Sequence, residues 1–156
     1  MPAEVRLETL VDVAPDRLWA LLVDWDRQGE WIPFTRGWQV DGPRLGVGTR
    51  IAARTGIGPL AFVDRMTVTA VDAPHRYEVV HTGRLVKGVG AFVVEPHGAG
   101  SRFCWWERAE VPGGPLARPI WWVGGPMTRL AFGWALRRLR RLAEAEARAA
   151  AGPAAP

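Results

Sequence analysis

Ala61-Phe62-Val63-Asp64-Arg65-Met66-Thr67-Val68-Thr69-Ala70-Val71-Asp72-Ala73-Pro74-His75-Arg76-Tyr77-Glu78-Val79-Val80-His81 reads as two strands around a tight turn. Asp72-Ala73-Pro74 supplies the turn: Asp hydrogen-bonds nearby backbone, and Pro has a fixed φ and no N–H to give a ladder. On both sides apolar residues recur at every second position, the period of a half-buried strand. Strands linked this closely are antiparallel, because a parallel pair needs a crossover of about a dozen residues or more.

The same pattern extends outward. Strands are expected near residues 37–41, 48–55, 61–72, 76–84, 87–96 and 101–111, with turns at Asp41-Gly42-Pro43, Gly56 to Pro59 and His97-Gly98-Ala99-Gly100. Short links throughout imply a meander and not βαβ units. Val5 to Val13 alternates as well and opens the chain with a strand. Ala14-Pro15-Asp16 is a helix start, with Pro at the first helical position and an acid in the first turn. Leu18, Leu21, Leu22 and Trp25 continue that helix. A second short helix, capped by Asp24, is expected to end near Trp31-Ile32-Pro33.

Beyond Pro112 the chain turns helical. Pro115 to Val123 is expected to form a turn or short helix, broken or kinked at Gly124-Gly125-Pro126. A long helix follows from Met127 to about Ala150. Met127, Leu130, Ala131, Trp134, Leu139 and Leu142 form its apolar arc, with Arg129, Gly133, Arg137, Arg140 and Glu144 opposite. Residues 1–151 are expected to form one α+β domain, and residues 152–156 a disordered tail.

The totals narrow the function. The chain has 156 residues and nine tryptophans, too many large indoles to bury fully in a small core, so some should line a cavity, a groove or the surface. A single cysteine, Cys104, excludes an internal disulfide and a Cys-based zinc site. The N-terminus has no basic start followed by an apolar block, which points to a cytoplasmic protein. The net charge of +4 comes from scattered arginines. Only Arg137, Arg138, Arg140 and Arg141 cluster, either as a solvated helix face or as a phosphate-binding patch. Aromatics and arginines do not interleave on one strand face, which argues against nucleic acid. Motifs for zinc proteases, phosphate loops, nucleophile elbows and dinucleotide binding are absent, and no cofactor or metal is expected.

Three segments resemble a known family. Val13-Ala14-Pro15-Asp16-Arg17-Leu18-Trp19-Ala20-Leu21-Leu22-Val23-Asp24 is similar to the opening strand-to-helix segment of the START-like, or SRPBCC, superfamily. Trp31-Ile32-Pro33 resembles its Trp-x-Pro after the second helix. Gly90-Ala91-Phe92-Val93-Val94-Glu95-Pro96 with Gly100-Ser101-Arg102-Phe103 resembles its penultimate hairpin. The resemblance covers roughly residues 3–148, and Trp121-Trp122 with Gly124-Gly125-Pro126 departs from it. It implies a helix-grip fold: a seven-stranded curved antiparallel sheet around a long C-terminal helix, with two short helices after strand 1. It also implies a cavity for an apolar molecule, such as a lipid, polyketide or sterol.

Strand parity singles out the chemistry. If the apolar positions face the helix, Phe62, Met66, Val68 and Ala70 point inward on one strand, and so does Asp64. Tyr77 and Val79 bring His81 inward on the next, and Phe103 and Trp105 bring Glu107. Three ionisable groups on a concave face suit acid–base work, while strand-end solvation is the plainer reading. Trp31, Phe34, Trp38, Trp122, Met127, Leu130 and Trp134 are candidate wall residues, and Arg54 and Arg84 candidate anchors for a carboxylate or phosphate, with a place on the surface the plainer reading of both arginines. Two functions stay open: a binding module for a hydrophobic molecule, and a polyketide cyclase, aromatase or dehydratase using Asp64, His81 and Glu107. Trp121, Trp122 and Trp134 beside the arginine cluster add a transient contact with an anionic membrane surface.

Overall fold

A computed structural model describes residues 1–152. The elements run β1 (Pro2–Val11), α1 (Pro15–Leu22), a 3-10 turn (Trp25–Arg27), α2 (Gln28–Trp31), β2 (Thr35–Asp41), β3 (Arg50–Thr55), β4 (Phe62–Asp72), β5 (Arg76–Thr82), β6 (Lys87–His97), β7 (Gly100–Glu110) and α3 (Ala117–Ala151). Apart from Gly152, the expected tail lies outside the described residues.

The seven strands form one antiparallel sheet in the order β1-β7-β6-β5-β4-β3-β2. Consecutive strands from β2 to β7 are neighbours, as hairpin links require. β1 alone pairs out of sequence, along the whole of β7 from Pro2↔Glu110 to Val11↔Ser101. β1 and β2 are therefore opposite edges, and α1 and α2 carry the chain from one to the other. α3 returns against β1 and α2. This is the helix-grip α+β arrangement.

The core lies where the helices meet the inner face of the sheet. Leu18 and Leu22 of α1, Trp31 of α2, Val68, Val94 and Phe103 of the sheet and Leu139 of α3 are almost completely buried. Each such side chain contributes about 1.5–3 kcal/mol through the apolar surface it removes from water. Polar ties lock the ends of this core. The Ser101 hydroxyl donates to the Val13 carbonyl at 2.6 Å, and Arg27 joins Glu30 to Glu146 of α3.

Two expectations are corrected here. The break at Gly124-Gly125-Pro126 does not occur, because α3 runs unbroken for 35 residues with Pro126 inside it. Pro126 removes only one backbone donor. The carbonyl it leaves without a donor is that of Trp122, and on the same turn the Thr128 hydroxyl donates to the Gly124 carbonyl at 2.9 Å, a side-chain bond to the residue four back. Gly125 is buried against the Trp121 ring, where an added Cβ would lie 3.0 Å from an indole carbon. The second correction concerns β4. Val68 pairs with Val79 but Ala70 pairs with Glu78, leaving Thr69 as an extra residue. Such a bulge flips the parity beyond it. Val71, not Ala70, then packs on the core.

Candidate functional site

Between the inner face of the sheet and the N-terminal half of α3 lies a cavity of about 540 Å³. Its mouth is bordered by the α2–β2 link, the β3–β4 link, the β5–β6 link and α3. Trp105 forms one wall and stacks face to face on Phe132 of α3, with ring centroids 3.9 Å apart and 18° between planes. Phe34 and Trp134 meet edge to face across the mouth at 6.0 Å. Phe34 is 59% exposed and holds φ at +57°, a left-handed conformation unusual for a bulky side chain.

Asp64, His81 and Glu107 come together inside this cavity. They sit on β4, β5 and β7, and alternation aims all three at the concave face. The His81 Nδ1–H donates to Asp64 Oδ2 at 2.7 Å, and Nε2–H donates to Glu107 Oε2 at 2.9 Å. The Trp105 indole N–H donates to the other Glu107 oxygen at 2.9 Å. Between β5 and β7 runs β6, and Gly90 there makes room for the trio. A Cβ at Gly90 would lie 2.7 Å from Glu107 Oε2.

This geometry sets the protonation of His81. Burial by itself pushes the imidazole pKa down. Hydrogen bonds to Asp64 and Glu107, and the charges of both, outweigh it and push the pKa up to about 10. His81 is therefore an imidazolium at neutral pH, with both N–H groups spent on carboxylates. Tyr77 also borders the cavity. Burial first, then the charge of Glu107, hold its phenol well above the ordinary 10, so it stays a neutral donor. Asp64 Oδ1 is buried without a hydrogen-bond partner among the described residues.

Of the residues expected to line a pocket, Phe34, Phe62, Met66, Tyr77, Trp105 and Trp134 border this one. The others do not, for identifiable reasons. Trp31 and Phe103 are fully buried behind the wall, packed on Phe92 at centroid distances of 5.8 and 5.2 Å. Trp38 and Arg54 stand on the wrong side of their strands, since Thr35 on β2 and Ile51, Ala53 and Thr55 on β3 take the inner positions. Trp122, Met127 and Leu130 are exposed because they lie on the side of α3 turned away from the buried Leu139, so the apolar arc drawn through them was too wide. Trp121, Thr128, Phe132 and Ala135 face the cavity instead. Carrying the spacing of Leu139 and Leu142 back through Pro126 without a break would have found them.

A sheet gripping a long helix over an apolar hollow defines a helix-grip protein of the START-like (SRPBCC) superfamily. The chain belongs to the polyketide cyclase / dehydrase and lipid transport family, whose model matches residues 2–145. No curated protein matches it in sequence. Among solved structures it is similar to TTHA0849 from Thermus thermophilus, with 16% identity, a TM-score of 0.80, and coverage of 94% of this chain and 100% of that one. The di-domain ARO/CYC StfQ from the steffimycin biosynthetic pathway matches at 15% identity and a TM-score of 0.76, over 94% of this chain and 52% of that one. Ara h 8.0201 matches at 16% identity and a TM-score of 0.57, over 88% and 99%. At these identities the likeness concerns the fold.

Proposed function

We propose that the chain holds a hydrophobic small molecule in this cavity, for transport, storage or sensing. One observation carries the reading. The hollow of about 540 Å³ has a wall that is mostly apolar and a single cluster of charged side chains on the sheet. Sites for small molecules typically measure about 300–1,000 Å³ and combine an apolar wall with a few converging polar groups. The body of the ligand would lie against Met66, Trp105 and Phe132. A hydroxyl or similar donor on it would reach Glu107, the more exposed of the two carboxylates. His81 would act as the positioning residue that fixes both carboxylates and offsets part of their charge.

The trio also supports a second reading, as a cyclase, aromatase or dehydratase, and the likeness in fold to an aromatase/cyclase is consistent with it. Glu107 would take the proton from a carbon beside a bound carbonyl, and the neutral Tyr77 phenol would donate to the enolate oxygen. His81 is no free base here, because both its nitrogens are engaged. That weighs toward binding.

The test is thermal unfolding of the full chain against a panel of fatty alcohols, sterols and aromatic polyketides, with native mass spectrometry of the fresh protein. A ligand at about 100 times its Kd should raise Tm by about 5–10 °C. Met66→Trp, which fills the cavity, should abolish the shift. A panel without any shift, together with a bare mass, overturns the reading.

A further inference from the structure

Leu116, at the N-cap of α3, and five apolar residues in the first half of that helix are exposed. Leu116, Ile120, Val123, Met127, Leu130 and Trp134 follow one another at spacings of four and three, so they form one stripe along the helix. They are 64%, 47%, 60%, 66%, 71% and 42% exposed. The inward face of the same segment, Trp121, Thr128, Phe132 and Ala135, is already used by the cavity. From Leu116 to Leu130 the stripe is thus a second apolar face without a partner among the described residues, and at Trp134 it reaches the cavity mouth, where that ring meets Phe34. A scattering of single apolar residues would need no explanation, but a continuous row does.

The links around the cavity mouth carry the same character. Ile57 and Leu60 on the β3–β4 link and Leu85 on the β5–β6 link are 64%, 86% and 66% exposed, beside the exposed Phe34. Charge is equally one-sided. No acid occurs between Glu30 and Asp41, between Asp41 and Asp64, between Glu78 and Glu95, or between Glu110 and Glu144. Each of those four stretches supplies residues to the cavity wall, and they contain Arg84, Lys87, Arg118 and Arg129, with Arg36 and Arg54 on the outer side of β2 and β3. Arg138 stands over the Trp134 ring at 5.7 Å, with Arg137 and Arg141 close by in sequence.

We propose that this rim docks on an anionic lipid surface, with the α3 stripe lying in the interface and the cavity mouth facing the bilayer. An apolar row on a segment whose only charged residues between Glu110 and Glu144 are arginines matches an interfacial helix, whose apolar face enters the headgroup boundary while basic side chains meet anionic lipid. A second copy of the chain fits less well, since it would set arginine against arginine. The docking is peripheral, and no helix among the described residues is long and apolar enough to cross a membrane. It does not depend on what fills the cavity.

Flotation of the full chain with two kinds of vesicle tests this. One kind is phosphatidylcholine alone, and the other contains about one-third phosphatidylglycerol. The protein should float with the anionic vesicles only, and release when salt reaches about 1 M, where screening shortens to about 3 Å. Met127→Ser with Leu130→Ser should weaken binding at least tenfold, by the apolar surface lost, roughly, from two large side chains. Arg118→Gln and Arg129→Gln should each weaken it roughly fivefold. Both sets change exposed residues, and unchanged melting curves establish that the variants fold. Failure to float with anionic vesicles overturns the proposal. So does a dimer in light scattering that the Met127/Leu130 variant dissolves, which would assign the stripe to a second copy. Ligand-induced melting shifts, measured without vesicles, report separately on the cavity.

Discussion

The charge on His81 makes stability depend on pH in a direction that can be worked out. Its pKa is about 10 in the folded protein and 6.5 as an ordinary histidine. A group whose folded pKa is raised stabilises the fold fully below the unfolded value, and loses that contribution as pH rises through the folded one. Between pH 6.5 and about 8.5 the unfolded chain sheds the proton while the folded chain keeps it. Linkage over that interval removes about 2 kcal/mol. The side chain is only 6% exposed, so solvent does little to screen its carboxylate partners. In urea, with a slope of about 2.5 kcal/mol per molar, the midpoint should fall by about 0.8 M. Stopping near pH 8.5 keeps clear of Cys104 and Tyr77, whose folded pKa values are raised from 9.0 and 10.0. His81→Gln should be less stable at pH 6.5 and should lose most of the slope. Imidazole NMR gives a direct readout: the His81 ring should remain doubly protonated at about pH 8.5. A flat urea midpoint across the interval, or a neutral His81 ring, would refute the ion-bridge account.

Gly90→Ala should act through Glu107, because the new methyl would meet its carboxylate at 2.7–2.9 Å. Turning Glu107 away breaks its bonds to His81 and Trp105 and should destabilise by about 2 kcal/mol. In a Glu107→Ala background the same change should do little, and an equal loss in both backgrounds would rule out the contact. Phe34→Asn should leave stability equal or raise it by up to about 1 kcal/mol, since Asn tolerates the left-handed backbone at φ +57°. A clear loss in the urea midpoint would mean that the half-exposed ring contributes more than its backbone strain subtracts.

Local patterns were enough for the elements and their order. Alternation at Phe62-Val63-Asp64 and Tyr77-Glu78-Val79, punctuated by Asp72-Ala73-Pro74, specifies antiparallel strands because side chains alternate faces and Pro cannot donate to a ladder. The same period puts Asp64, His81 and Glu107 on one face, and the structure keeps them there because the bulge at Thr69 lies beyond Asp64. Where a bulge or a helix phase intervened, local reading failed. Ala70 lost its inward place to Val71, and Trp122, Met127 and Leu130 lost theirs to Trp121, Thr128 and Phe132. Tertiary contacts made those decisions. Phe132 stacks on Trp105 and α3 packs along β1 and α2, and these contacts set which face of the helix turns inward. Pairing of β1 with β7 and the charge state of His81 belong to the same category. Each depends on groups far apart in the chain, and periodicity describes only neighbours.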